Sequence, residues 1–595
     1  MYLQKKILFA LFSGFVLLCD TQVFGINPLF LEKKNMVQQF SEIATEYETK
    51  LFDYMPELGF FYGKSDVALD RFTDSSIEGY QRWWRQEDRF LSELNELNAK
   101  ELQDTPQYTT YLLLKETLEA NQASRICREE LWDVNPAAGW HNSLAFVATK
   151  QPVGTDAYRQ LALTRWQSFD KVVDTQITNL KLGVSLGYTA PKPAVQRVLA
   201  QLNIILNNDI EASPYFDFVR RDKDPHFKVQ ARHVVEKVIH PALKKYADYL
   251  EQEYLPIART EIGVQALPSG AACYVAKIKQ ETTLSLTPED IHARGIQAMQ
   301  ALSQEVAKIG LRKYGIRDMA GIFQRANDEG LHYFKTEQDI LNYNFAALAR
   351  VKEKVPDWFV AMPKTEGIIK PYPSYRAKTG ASGEYYPPND AGTQPGIFYI
   401  NTYKPETRSR IDQEATLFHE LIPGHHFQIA LQYENKALPI VNRYLFNAGF
   451  GEGWALYVER LADEMGLYQD DISRLGMLSN EALRAARLVV DTGIHAMHWR
   501  REQAIDYLKK HTALDENIIE GEVDRYIMLP GQATAYMLGK NEIITLRQLA
   551  QAQLGTHFDI RQFHEQVLKN GMVSLPILKW QIENWVQEQK IAVLP

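Results

Sequence analysis

The chain has 595 residues, 45% of them hydrophobic and 24% charged, with a formal net charge of -8. That length supports two or more ordinary cores or one very large helical body. The negative balance removes any electrostatic reason to expect nucleic acid or an anionic membrane as partner, and short basic clusters such as Arg500-Arg501 read as solvated helix faces.

At the N-terminus, Lys5 and Lys6 precede an apolar run from Ile7 to Cys19, interrupted only by Ser13 and Gly14. The run is too short to span a bilayer comfortably and has the layout of a secretory signal, so residues 1–25 are expected to be a signal peptide cut after Gly25. Cys19 offers a second route, lipid anchoring, although Leu18 is larger than that processing usually accepts. Either route exports the protein, to the periplasm or beyond, and a membrane enters only through Cys19. Cys127 and Cys273 remain. In an oxidising compartment they could pair, but nothing in the sequence brings them together, so two buried thiols are the preferred expectation; neither belongs to a CxxC pair.

Apolar residues at three- and four-residue spacing predict helices over Met36 to Leu51, Glu78 to Ala99, Tyr158 to Leu182, Ala194 to Leu206 and Phe227 to Tyr254. Breakers separate them at Tyr188 to Pro193 and Leu267 to Gly270. Thr287 and Pro288 open a further helix as N-cap and first turn. The best strand is Gly396 to Tyr403, after a Pro/Gly/Asn loop and before Pro405. A working boundary near residue 270 divides an N-terminal helical half, 26–270, from a C-terminal half, 271–595, that carries the chemistry.

The segment Thr416 to Gln428 reads TLFHELIPGHHFQ. In the zinc motif H-E-x-x-H, two histidines one turn apart hold the metal, and the Glu after the first faces the water as general base. Here position 423 is Pro, and His425 and His426 follow Gly424, so the helix must bulge or restart. A bulge returns His425 to the metal side, whereas a straight continuation offers His426; His425 is preferred. Glu452, in Gly449 to Trp454, opens a second helix and supplies a third ligand, leaving one zinc position open. Glu459, seven residues on, is a candidate partner behind the ligands. Arg484, Arg487, Asp491, His495 and His498 form a polar stripe that faces either solvent or a wet cavity. Gln532, Tyr536 and Lys540 align at spacings of four, and a tyrosine hydroxyl suits an oxyanion.

At these residues the chain resembles the bacterial family named domain of unknown function 885. It is similar, more distantly, to helical zinc peptidases of the angiotensin-converting enzyme, thimet oligopeptidase and carboxypeptidase Taq types. The carrying segments are His419 to Gln428, Phe450 to Leu461, Val489 to His495 and Pro530 to Lys540, with Tyr385 to Tyr403 and Leu286 to Ile296. The resemblance implies one zinc on His419, His425 and Glu452 with Glu420 as base, while the converting-enzyme comparison keeps His426 open as second ligand. It also implies that Tyr526, Tyr536, Arg487 and His495 line a cleft, and that Gly396 to Tyr403, with Tyr399 and Asn401, is an edge strand to which a peptide adds its backbone.

The expectation is therefore a mostly α protein: a large helical zincin-like body with a deep groove and a small β-sheet near the metal. Its reaction would be hydrolysis of short peptides near the C-terminus, with Glu420 as base, Tyr536 or His495 at the oxyanion, and Arg484, Arg487 and Lys540 holding the terminal carboxylate. Asp491, like Glu459, is expected behind the ligands. Two other readings are a zinc amidase acting on a non-peptide or cell-wall amide and a catalytically silent peptide-binding protein. Glu420 argues against silence, because a binding protein has no use for a base.

Overall fold

Amphipathic spacing becomes helix almost wherever it is strong. The computed structural model describes residues 28–64, 66–331, 333–372, 382–389 and 392–593. The expected signal segment 1–25 and Cys19 lie outside them. Met36 to Leu51 falls inside Pro28–Tyr54, Glu78 to Ala99 becomes Ile77–Glu96, and Ala194 to Leu206 becomes Lys192–Asn207. Thr287 caps Pro288–Tyr314 by accepting a hydrogen bond from the Asp290 amide. Two predicted helices differ in detail. Tyr158 to Leu182 breaks at Ser168 into Asp156–Gln167 and Phe169–Ser185, and Phe227 to Tyr254 carries π turns at Val235–Ile239 and Leu250–Tyr254. Among the described residues no helix is long and apolar enough to cross a membrane.

The helices surround one small sheet of β1 (Gly367–Pro371), β2 (Gly383–Tyr386) and β3 (Gly396–Ile400), in the order β1-β3-β2. β1 runs parallel to β3, pairing Gly367 with Gly396, and β2 runs antiparallel to it, pairing Tyr385 with Phe398. Gly396 to Ile400 is thus the central strand, not the edge expected from sequence. Both its flanks are already hydrogen-bonded. The edge on that side of the sheet is β2, which has no second strand partner among the described residues.

Buried side chains also redraw the boundary at residue 270. One cluster joins Phe40, Trp83 and Leu114 to Ile340, Phe398, Trp454 and Trp585. It crosses the expected division, so the two halves share a core. A separate cluster, including Trp166, Tyr215 and Tyr246, belongs to the N-terminal part alone.

Cys127 and Cys273 are not two thiols. They form a disulfide with Cα atoms 4.8 Å apart, tying the turn Arg125–Cys127 to helix Gly270–Thr282 across 146 residues. Closing so long a loop removes much freedom from the unfolded chain, typically worth about 2–4 kcal/mol. The double variant Cys127→Ala, Cys273→Ala is expected to lose roughly that much in urea unfolding, with the folded far-UV spectrum kept. An unchanged midpoint would mean that packing alone already holds the two segments.

Candidate functional site

His419 and His425 are brought together by a broken helix. The first segment, Gln413–Glu420, stops after Glu420, and a second, His425–Glu434, starts five residues later. The Ile422–Pro423 peptide between them is cis. Only glycine fits at position 424, because a Cβ there would fall 1.8 Å from the His419 carbonyl oxygen. The Trp454 indole N–H donates to the Pro423 carbonyl at 2.9 Å, pinning the restart to the next helix, Ala448–Glu464. The two imidazoles then meet edge to face, with centroids 4.8 Å apart.

Helix Ala448–Glu464 supplies both carboxylates. Asn447 caps it by accepting the Phe450 amide hydrogen bond, and Glu452 and Glu459 project from one face toward the histidines. Glu452 Oε2 lies 3.4 Å from His425 Nε2 and 3.7 Å from His419 Nε2. On the other side of the ring, His419 Nδ1–H donates to Glu459 Oε1 at 2.8 Å, and Asn480 holds the second oxygen of Glu459 at 3.3 Å. This sets the tautomer of His419 and leaves Nε2 facing Glu452 and His425.

The donor set fits zinc. One atom from each of His419, His425 and Glu452 lies within 4.8 Å of the others. Donors at ordinary zinc distances in a tetrahedron are separated by about 3.3 Å, close to the two contacts made by Glu452. Electrostatics agree. Burial works against a charge on His419, but hydrogen bonds to Glu452 and Glu459 overcome it and raise its pKa to about 9. For Glu452, burial is likewise outweighed by the two histidines, which hold the carboxyl well below its usual range. A pocket that traps a proton so firmly attracts a cation in its place, with affinity rising as pH rises.

The three side chains open onto a cavity of about 990 Å³, large for a small-molecule site. Glu420 lines it and, among the described residues, makes no hydrogen bond or ion pair of its own. From β2, Gly383 and Tyr385 also line it. Arg484, Arg487, Arg525, Glu522 and Tyr536 line the same cavity. Tyr536 reaches the wall because its helix, Ala535–Leu554, crosses the Glu452 helix at bare backbone: a Cβ on Gly453 would lie 2.6 Å from the Gly539 Cα. The Tyr536 oxygen accepts a hydrogen bond from Arg525 Nη2 at 3.2 Å, leaving its own proton available to the cavity.

Several residues expected at the site lie elsewhere. His426 is buried with both ring nitrogens engaged: Nδ1 accepts from Tyr385 Oη–H and Nε2–H donates to Thr365 O, each at 3.0 Å. It anchors the helix to the sheet and is no alternative ligand. His495 accepts the Val264 amide hydrogen bond at Nδ1 and donates from Nε2 to Tyr526 O, fully buried, so burial lowers its pKa to about 3. It cannot serve the oxyanion. Asp491 accepts from Tyr274 Oη–H at 2.6 Å and the Gly531 amide at 3.0 Å, away from Glu459. The polar stripe does run along helix Asp471–Ala496, but beyond Arg487 helix Gly270–Thr282 and the Gly531 turn cover it.

Lys540 points to another side of its helix, where it pairs with Glu481 in a separate cavity of about 510 Å³. Tyr526 stands behind the wall, accepting from Arg487 Nε at 2.9 Å and donating to Glu522 at 2.6 Å. On β3, Tyr399 stacks on Tyr372, and just past the strand Asn401 is buried with its backbone N–H donating to Ser382 O; neither lines the cavity. Sequence reasoning missed Glu522, Arg525, Asn480 and Tyr385. The first two sit within one turn of Tyr526, the one signal that pointed there.

Fold and site together define a mostly helical protein with a three-stranded sheet and a cavity that joins a histidine–carboxylate cluster to an arginine wall. The chain belongs to the DUF885 family, described as bacterial protein of unknown function, which matches residues 56–582. Its fold is that of a candidate lipoprotein from Colwellia psychrerythraea, with TM-score 0.85 and 25% identity over 94% of this chain and 99% of that one. A candidate lipoprotein of unknown function from Shewanella oneidensis shares the fold with TM-score 0.74 and 17% identity, over 91% and 99% of the two chains. No curated protein matches the chain.

Proposed function

We propose that the protein is an exported zinc-dependent peptidase that hydrolyses short peptides near the C-terminus. The observation that carries this reading is the meeting of His419, His425 and Glu452 beside an unpaired Glu420 on the cavity wall. His419, His425 and Glu452 would hold one zinc ion, which when bound polarises a carbonyl and acidifies water. Glu420 takes the proton of the attacking water and returns it to the leaving amine. Tyr536 donates a hydrogen bond to the oxygen that becomes negative, helped by the Arg525 contact that holds its ring in place. The edge of β2, with Gly383 and Tyr385, accepts the substrate backbone as an added strand. Arg484 and Arg487 face a terminal carboxylate, and Arg525 takes the part expected of Lys540. Export is supported by the N-terminal sequence and by the description of the Colwellia psychrerythraea relative as a candidate lipoprotein.

A peptide mixture, with matched members amidated at the C-terminus, tests the reading in a mass-spectrometric time course. Free ends should be trimmed, amidated ends should be trimmed far more slowly, and an intact folded protein should survive. Equal rates on both ends would remove the carboxylate step. No cleavage by zinc-loaded protein would remove peptidase activity.

A further inference from the structure

Helix Ala448–Glu464 carries a glycine on each side of Glu452. Neighbouring helical residues point about 100° apart, so Gly451 and Gly453 face opposite flanks of that ligand. On the Gly453 flank runs helix Ala535–Leu554, whose Tyr536 ring lies against Arg484 and Arg487, with guanidinium carbons 5.8 and 4.5 Å from its centroid. The Gly451 flank is apolar. A Cβ there would meet Met572 Sδ at 3.4 Å and Phe446 Cε2 at 3.7 Å, both ordinary contact distances.

The apolar surface continues away from the metal site. His425, Ile429 and Tyr433 recur at intervals of four, so they share one face of His425–Glu434, and all three line the cavity. At 1.5 Å per residue that face extends roughly 12 Å from His425. The Gly571 turn closes on it: a Cβ on Gly571 would lie 2.9 Å from the Gln432 side chain, and the adjacent Met572 reaches Gly451. Among the described residues, Arg443 is the one charged side chain that segments 429–446 and 571–572 add to the lining. On the arginine flank, Leu483, Leu514 and Ile518 are interleaved with Arg484, Asp515 and Glu522, so no comparable apolar run forms there.

Phe446 is the member of this wall left uncovered. It lines the cavity and is 59% exposed. An apolar residue just before a helix N-cap ordinarily packs on the fourth helical residue. Here Asn447 is the cap and the fourth residue is Gly451, which has no side chain to cover the ring. A large exposed ring beside a metal ligand, continuous with an apolar wall, is surface that a bound side chain can bury.

We infer that this wall receives a bulky apolar side chain, such as Phe, Leu or Met, from the substrate residue on the amino side of the scissile bond. This rests on the peptidase reading above and narrows it. A terminal carboxylate held by Arg484 and Arg487 on the Gly453 flank leaves the preceding residues to lie along the Gly451 flank. The wall thereby selects where in a peptide the cut falls.

The test uses peptides of one sequence that carry Phe or Ala before the cleaved bond, and a second set that carries Phe or Ala after it. Hydrolysis by zinc-loaded unsubstituted protein, read by mass spectrometry, should favour Phe over Ala before the bond by about 10- to 100-fold in kcat/KM, as expected for burying an aromatic ring. Phe446→Ala should shrink that ratio several-fold. Equal rates for Phe and Ala overturn the proposal, as does a preference for Phe only after the bond, or a ratio that Phe446→Ala leaves intact. The comparison on unsubstituted protein needs no variant to fold. Calorimetric binding of the same peptides to zinc-loaded Glu420→Gln protein reads the wall without turnover. Cleavage without an apolar preference defeats this inference alone. Absence of cleavage, with Phe bound more tightly than Ala and the difference lost in Phe446→Ala, defeats the peptidase and leaves the apolar site standing. Equal binding without cleavage defeats both.

Discussion

Glu420→Gln is expected to lower kcat/KM by about 100- to 10,000-fold while leaving bound zinc unchanged. Glu420 ends the Gln413–Glu420 helix beside His419, lines the cavity, and has no protein partner among the described residues. A carboxylate so placed is free to take a proton, and glutamine matches its shape but not its basicity. The readouts are single-turnover hydrolysis of a short peptide and metal content of the same sample. Full activity in the variant would remove Glu420 as base. Loss of metal along with activity would make it a ligand instead.

The second large effect separates two neighbouring histidines. His425→Ala should empty the metal site, because His425 Nε2 is one of the atoms gathered around Glu452. His426→Ala should keep the metal and weaken the fold, since it removes the hydrogen bonds to Tyr385 and Thr365 that join helix His425–Glu434 to the sheet. Losing one partner of buried hydrogen bonds costs about 1–3 kcal/mol for each group left unsatisfied. Metal analysis and urea unfolding of both variants check the pair. The reverse pattern, with metal lost only in His426→Ala, would exchange their roles.

Much of this arrangement is legible in residue spacing. Long amphipathic stretches such as Met36 to Leu51 become helix because burying one apolar face stabilises little else over that length. His419, Glu452 and Glu459 are legible because helical period puts the two glutamates on one face and the Pro423-Gly424 insertion interrupts the histidine helix. What fails does so where a distant element decides. Period places Asp491 and His495 in line with Arg487, but only tertiary packing reveals that helix Gly270–Thr282 covers them. Choosing between His425 and His426 required the position of the sheet, and the central place of β3 required two short partner strands with weak patterns. The Cys127–Cys273 bridge spans 146 residues, far beyond any local signal.

The most direct measurement is elemental analysis of the mature protein, purified without added metal and then titrated with zinc, beside His419→Ala and Glu452→Ala. The geometry of His419, His425 and Glu452 predicts one zinc per chain in the unsubstituted protein and its loss in both variants. Stoichiometric zinc surviving in both variants, or no zinc bound by the unsubstituted chain after titration, would contradict the metal centre and the hydrolytic chemistry built on it.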